Sequence, residues 1–275
     1  MKRQIETWLI FLFLSIFTLG TVYPVLNIVG VSLREDNAFQ TRSLAIIPEN
    51  SGLYNYVQLF AATDFLLWLK NSLLVSAAVT IIGVALASTC AYALSRYRFM
   101  GRNLGMMALL TTQMFPATML LLPFFILLSK LGLINSYLGL VIIYSSTALP
   151  FCIWQMKGFY DTIPPALEES ACLDGCNPFQ AFYKIVLPLS TPALVITALF
   201  SFMASWSEYV VAAIILQDPE LYTLPLGLKS FQSSLATEWG LYTAGAVVVS
   251  IPVVILFISL ARFLVSGLTL GSVKG

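Results

Sequence analysis

Residues 157–189 read KGFYDTIPPALEESACLDGCNPFQAFYKIVLPL, a polar interruption between two long uncharged stretches. In Ile163-Pro164-Pro165-Ala166-Leu167-Glu168-Glu169 the prolines suit a first helical turn, and the two acids complement the positive end of the helix dipole. Gly175 is placed to end that helix. Asn177-Pro178 then offers a second N-cap and first-turn proline, Gln180 falls three residues after the cap, and the run continues to about Val186 before Pro188 stops it. The stretch is expected to form a helix, a glycine turn and a second helix.

On either side the chain is apolar. A bilayer core of about 30 Å needs roughly 20 helical residues, and charge-free runs of that order cover residues 7–33, 71–95, 103–129, 131–156, 185–207 and 239–261. The fifth is expected to begin near Ser190 and to continue past Glu208 to Leu216, because the run around that single acid stays apolar. This predicts an all-α membrane protein of one transmembrane domain, 1–275. Its six spans fall at about 8–33, 71–95, 104–129, 132–156, 190–216 and 240–265, with a loop at 157–189 and a tail at 266–275. The first run is far longer than a signal-peptide core and is read as an anchor. Prolines recur within the runs (Pro24, Pro116, Pro123, Pro150, Pro192, Pro252) and are expected to kink the spans without breaking them.

Composition agrees. Of 275 residues, 59% are hydrophobic and 10% charged, against about 45–50% and 25% in soluble domains, which excludes a soluble enzyme. A net charge of +1 leaves no basic field for nucleic acid. Histidine is absent, and with it the commonest general base and zinc ligand. Cys172 and Cys176 have the look of half a metal site, but they lack a second pair and read as reduced small residues.

Basic residues set the orientation. With the N-terminus inside, Lys2, Arg3, Arg96, Arg98, Arg102, Lys157, Lys184, Arg262 and Lys274 are cytoplasmic, against Arg34, Arg42, Lys70, Lys130 and Lys229 outside. Both termini are then cytoplasmic, and residues 157–189 form the longest inner loop. Local chemistry leaves two uses for it: an amphipathic pair lying on the membrane surface, or a docking surface for a cytoplasmic partner. Trp8, Trp68 and Trp239 flank spans and read as interface anchors.

The spacing Glu169-Ser170-Ala171, three residues, Gly175, nine residues, Ile185, one residue, Leu187-Pro188 resembles the EAA loop of permease subunits of ATP-binding-cassette (ABC) importers, with Ser170 in place of the usual second alanine. Asn71-Ser72-Leu73-Leu74, Ala91-Tyr92-Ala93-Leu94-Ser95-Arg96, Met114-Phe115-Pro116 and Trp206-Ser207-Glu208-Tyr209 are similar to signatures of the maltose-type carbohydrate permeases, with Ser207 where asparagine is more usual. The ending, through Gly271, Val273, Lys274 and Gly275, resembles the shorter, second subunit of that system, whose tail reaches between the ATPases.

The resemblance implies a type I importer (MetI-like) permease fold and a non-enzymatic transport subunit of a bacterial or archaeal cell membrane, the inner membrane in a Gram-negative cell. It implies a second permease as heterodimer partner, two cytoplasmic ATPases, an extracytoplasmic solute-binding protein and a sugar; no lysine or arginine lies deep in any span, which favours a neutral one. ATP and magnesium belong to the partner ATPases, since this chain has no Gly-x4-Gly-Lys-Ser/Thr and is expected to bind no cofactor and no metal. Coupling to the ATPases is expected from Glu168, Glu169, Ser170, Ala171, Asp174, Gly175, Ile185, Leu187 and Pro188. Glu169 is expected to pair with a basic residue of the ATPase, and Ala171 and Gly175 to allow close packing. The bland alternative is that both acids only stabilise the helix start.

Polar groups within the spans mark a possible substrate path: Thr112, Gln113, Ser146, Ser205 and Glu208, each equally suited to bonding across a helix interface. Glu208 is an intramembrane acid and so a functional candidate by default. A rival reading makes the chain a stand-alone proton-coupled carrier built on that carboxyl.

Overall fold

The computed structural model describes residues 2–39, 47, 50–232 and 237–270. Among them every regular element is a helix, and the only strand-like pairings are two isolated bridges, Arg34 with Ser51 and Gln232 with Thr237. Its contacts gather into two compact units, Met1–Leu66 with Gly227–Pro252, and Leu67–Leu226 with Val253–Gly275.

The first unit holds the long helix α1, Lys2–Ser32, and a short helix α2, Tyr54–Ala62, in the first expected outer loop. A polar knot ties the end of α1 to α2. The Asn55 amide donates to the Ser32 and Arg34 carbonyls at 3.0 and 2.7 Å, and Tyr56 Oη lies 2.7 Å from Ser32 Oγ. Asn37 reaches the other segment of the unit, donating to the Thr237 carbonyl and accepting from the Gly240 amide, each at 3.0 Å. Before its buried end at Gly30–Ser32, the apolar run of α1 is unburied. α2 lies in a charge-free run, residues 50–63, too short to read as a span; its signal is a short amphipathic pattern that buries Asn55 and Leu59.

The second unit is built around α3, Phe65–Arg96, and α6, Tyr137–Tyr160. α3 begins before the expected residue 71, because the Thr63 hydroxyl accepts from the Phe65 amide at 3.3 Å and the helix runs through Lys70. Near one end Val75, Val79, Ile143, Tyr144 and Ile215 pack together; near the other Ala87, Ala91, Cys152, Met156, Tyr160 and Val186 do so. Small residues permit the closeness. A Cβ on Gly83 would stand 2.7 Å from Ser201 Oγ, itself 3.5 Å from the Cys152 sulfur. Trp68 is buried within the chain, so it does not serve as an interface anchor.

Six uninterrupted spans are not what the described residues form. Gln4–Ser32, Phe65–Arg96, Tyr137–Tyr160 and Trp239–Phe263 are long and apolar enough to cross a membrane. The expected third span is split into α4, Arg102–Thr112, a 3-10 turn Ala117–Leu120, and α5, Leu121–Lys130. Pro116 lacks an N–H and pushes Phe115 out of helical conformation, so here proline breaks the helix. Pro24, Pro150 and Pro252 stay inside theirs, as expected.

After α6 come α7, Ala166–Leu173, and α8, Pro178–Ala181, continued by a π turn, Phe182–Val186, and by α9, Leu187–Leu189. The run Pro178–Leu189 is bent by 79° against α10, Thr191–Trp206, so the loop's second helix leaves the span at a steep angle. The expected fifth span also breaks, at Ser207–Tyr209, before α11, Val210–Ile215. A short α12, Leu224–Lys229, precedes the last helix, α13, Trp239–Leu270.

Candidate functional site

The 157–189 stretch folds by its own chemistry. Glu168 and Glu169 lie in the first turn of α7. At its end Gly175 adopts φ +93°, with its amide donating to the Cys172 carbonyl at 3.1 Å and the Cys176 amide to the Ala171 carbonyl at 3.0 Å. This is the paired Schellman closure, and its left-handed residue favours glycine. Asn177 and Gln180 exchange reciprocal bonds of 2.9 and 3.0 Å, a full capping box that starts α8.

The two adjacent acids diverge. Glu168 turns inward: Oε1 lies 2.5 Å from Arg96 Nε, and Oε2 accepts from the Tyr92 hydroxyl at 2.6 Å. Arg96 also donates to the Ile163 carbonyl at 3.0 Å, so one guanidinium holds both the helix start and the segment before it. Around this tie the Tyr92 and Phe182 rings lie 4.4 Å apart, with Tyr160 edge-on to both. Ala171 is buried on the same side, so it packs against its own chain.

A second tie joins α3 to the end of α6. Asp161 accepts from Ser95 Oγ at 2.6 Å and from Lys157 Nζ at 2.5 Å. Partial burial pushes its carboxyl up, but the bonds from Lys157 and Ser95 and the charges of Lys157 and Arg102 outweigh that and hold it below the usual carboxylate range.

Glu169, Ser170, Asp174 and Gly175 are exposed, and beside them stand Leu173, 89% exposed, and Phe179, 74% exposed. The Ser170 hydroxyl donates to the Ala166 carbonyl at 2.8 Å and leaves no bulk above the helix. Ile185 and Leu187 are half-buried and Pro188 exposed. The outer face thus carries an acidic pair, Glu169 and Asp174, beside exposed apolar side chains, a combination suited to another protein's surface and costly to leave in water.

The five substrate-path candidates separate. Thr112, Gln113 and Ser146 come together with Thr147, lining a cavity of about 370 Å³ beside the α4 break. Ser205 is buried and donates to the Ser201 and Phe202 carbonyls at 3.0 Å, a bond within its own helix. Glu208 sits in the helix break, where its carboxylate accepts from the Val211 and Ala212 amides at 2.9 and 3.2 Å and from the Tyr144 hydroxyl at 2.7 Å. It caps α11. Gly271, Val273, Lys274 and Gly275 lie outside the described residues.

Arg96, Tyr92 and Asp161 were missed as site residues by the sequence reading. Arg96 enters the sequence analysis through topology and through the Ala91–Arg96 signature, and that signature, which also holds Tyr92, is the signal that points to both. No group of three or more metal-ligating side chains occurs among the described residues.

The family described as "Binding-protein-dependent transport system inner membrane component" matches residues 80–269. The chain is 37% identical over 281 residues to the maltose/maltodextrin transport system permease protein MalG of Salmonella typhimurium, covering 95% of this chain and 94% of that protein. It is 36% identical over 279 residues to the galactooligosaccharides transport system permease protein GanQ of Bacillus subtilis, covering 100% and 98%. Among solved structures, a chain of a bacterial ABC transporter involved in the import of the acidic polysaccharide alginate superposes with a TM-score of 0.83 at 25% identity, over 94% of this chain and 96% of that one. End-to-end similarity to importer permeases overturns the proton-carrier reading, and the bonds that Glu208 makes give its carboxyl a structural task.

Proposed function

Because the chain belongs to the family of binding-protein-dependent transport system inner membrane components, and is a permease subunit of an ABC sugar importer, we propose how its parts serve that import. It crosses the bacterial cell membrane six times with both termini cytoplasmic, using α1, α3, the α4–α5 pair, α6, the α10–α11 pair and α13. The excess of basic residues on the inner side supports this assignment. It pairs with a second permease and takes its sugar from an extracytoplasmic binding protein. ATP and magnesium are bound by two cytoplasmic ATPases, consistent with the absence of a phosphate-binding Gly-x4-Gly-Lys-Ser/Thr from this sequence.

The observation that carries the coupling role is the opposite facing of two neighbouring acids. Glu168 is bonded to Arg96 and Tyr92 of the span α3, while Glu169 stands exposed beside Leu173 and Phe179. A surface that grips a partner outside and its own span inside transmits displacement as a rigid piece. Closure of the ATPase dimer moves the 157–189 loop, and α3 moves with it, so the nucleotide-bound state differs from the free one in contacts, as any shift of a conformational balance requires. The transported solute is a neutral saccharide of the maltodextrin, trehalose or galactooligosaccharide kind, in line with the relatives.

Copurification in nanodiscs through a tag on this chain tests the assembly, followed by ATPase assay with binding protein and sugar. A second permease and an ATPase in the eluate, with hydrolysis stimulated by binding protein plus one sugar, is the expected outcome. A chain that purifies alone and moves solute without ATP contradicts it.

A further inference from the structure

The α4 break opens a cavity of about 370 Å³, within the roughly 300–1,000 Å³ of small-molecule sites. Its polar lining comes from Thr112 and Gln113 at the end of α4 and from Ser146 and Thr147 near the middle of α6; Phe115 and Phe124 supply ring surface. The three hydroxyls have already committed their protons. Thr112 Oγ1 donates to the Leu109 carbonyl at 2.6 Å, Ser146 Oγ to that of Ile143 at 2.8 Å, and Thr147 Oγ1 to that of Tyr144 at 3.0 Å. A hydroxyl has one proton and two lone pairs, so toward the cavity these three can only accept. Gln113 spends one amide proton on the Thr147 carbonyl at 3.1 Å, which fixes the side chain and leaves its oxygen and its second amide proton available.

The lining therefore offers chiefly acceptors, with one amide donor left on Gln113, at fixed positions; it carries no charge and includes aromatic faces. All four polar residues are exposed on this chain alone. Polar groups this deep in a span are unfavourable against lipid, so this face is turned to the second permease or to the water-filled path. Acceptors repel the oxygens of a carboxylate or phosphate and suit a ligand rich in hydroxyl donors, whose ring carbons find a surface on Phe115 or Phe124.

We propose that this cavity is a saccharide subsite: this chain itself holds the neutral sugar in passage, through sugar hydroxyls donating to Thr112, Gln113, Ser146 and Thr147. The proposal rests on the sugar-importer reading above and adds a ligand contact to it. Gln113→Leu and Thr147→Val each delete acceptor capacity with little change of volume, and leucine or valine suits a membrane helix. The test is equilibrium binding of radiolabelled maltotriose to the whole complex trapped with ADP and vanadate, beside its maximal ATPase rate before trapping. Each substitution is expected to weaken maltotriose binding about fivefold, which is about 1 kcal/mol for one hydrogen bond, in a complex that still assembles and hydrolyses ATP. Unchanged binding in both variants overturns the subsite and leaves the importer reading intact, as does loss of ATPase rate with binding unaltered, which assigns the groups to packing against the second permease. A wild-type complex that hydrolyses ATP yet binds and imports no saccharide contradicts the importer reading itself, and the subsite falls with it.

Discussion

At the scale of single residues, Glu168 and Glu169 are neighbours with opposite duties. The Arg96–Glu168 pair is only 12% exposed on each side chain, so removing one partner strands the other. Glu168→Gln is expected to cost about 1.5–3 kcal/mol of stability, read as a lowered Tm of the purified complex. The double variant with Arg96→Gln should cost less than the sum of the single ones; additive losses would show that the two side chains do not interact. Asp161 makes a prediction in pH. Its carboxyl is held below the usual range, so the stability it contributes is present above the unfolded value of 3.8 and is lost as pH falls through the lower folded one. Wild type should therefore lose more stability than Asp161→Asn as the pH is taken from 5 to 3, and equal losses would contradict the tie to Lys157 and Ser95. The sequence showed that both acids start a helix. It did not show which faces inward, because the answer depends on an arginine 72 residues away.

At the scale of elements, Gly175 closes α7 in a left-handed conformation. An alanine there must hold φ near +93°, at a cost of about 1–2 kcal/mol. Gly175→Ala is expected to displace the α7 end and abolish stimulation of hydrolysis by binding protein and sugar, while the basal ATPase rate persists. Retained stimulation would remove the turn from the coupling path. Local signals of this kind were legible before the structure: the capping box at Asn177 and the left-handed glycine are written in adjacent residues. The helix breaks were less so. Pro150 is buried and Pro24 exposed, yet both stay inside their helices, whereas Pro116, also exposed, stands outside one. Proline alone does not say which case applies. The break at Ser207–Tyr209 was hidden for another reason, since an acid inside an apolar run reads as a cavity group until its bonds to the Val211 and Ala212 amides are seen.

At the scale of the whole molecule, the proposed function makes the chain a lever between ATPases and a sugar path. With Glu208 engaged as a helix cap, uptake into proteoliposomes should be unaffected by a protonophore and should cease without ATP; collapse of uptake with the proton gradient would contradict the account. The central claim is that the face bearing Glu169, Leu173 and Phe179 is seated on an ATPase. A photocrosslinking amino acid placed at Leu173, 89% exposed at the end of α7, tests it most directly in the intact complex. The account predicts an adduct between this chain and the ATPase subunit, weakened by Glu169→Lys. Adducts with lipid alone would mean that the helix pair lies along the membrane surface, and the lever would have no handle.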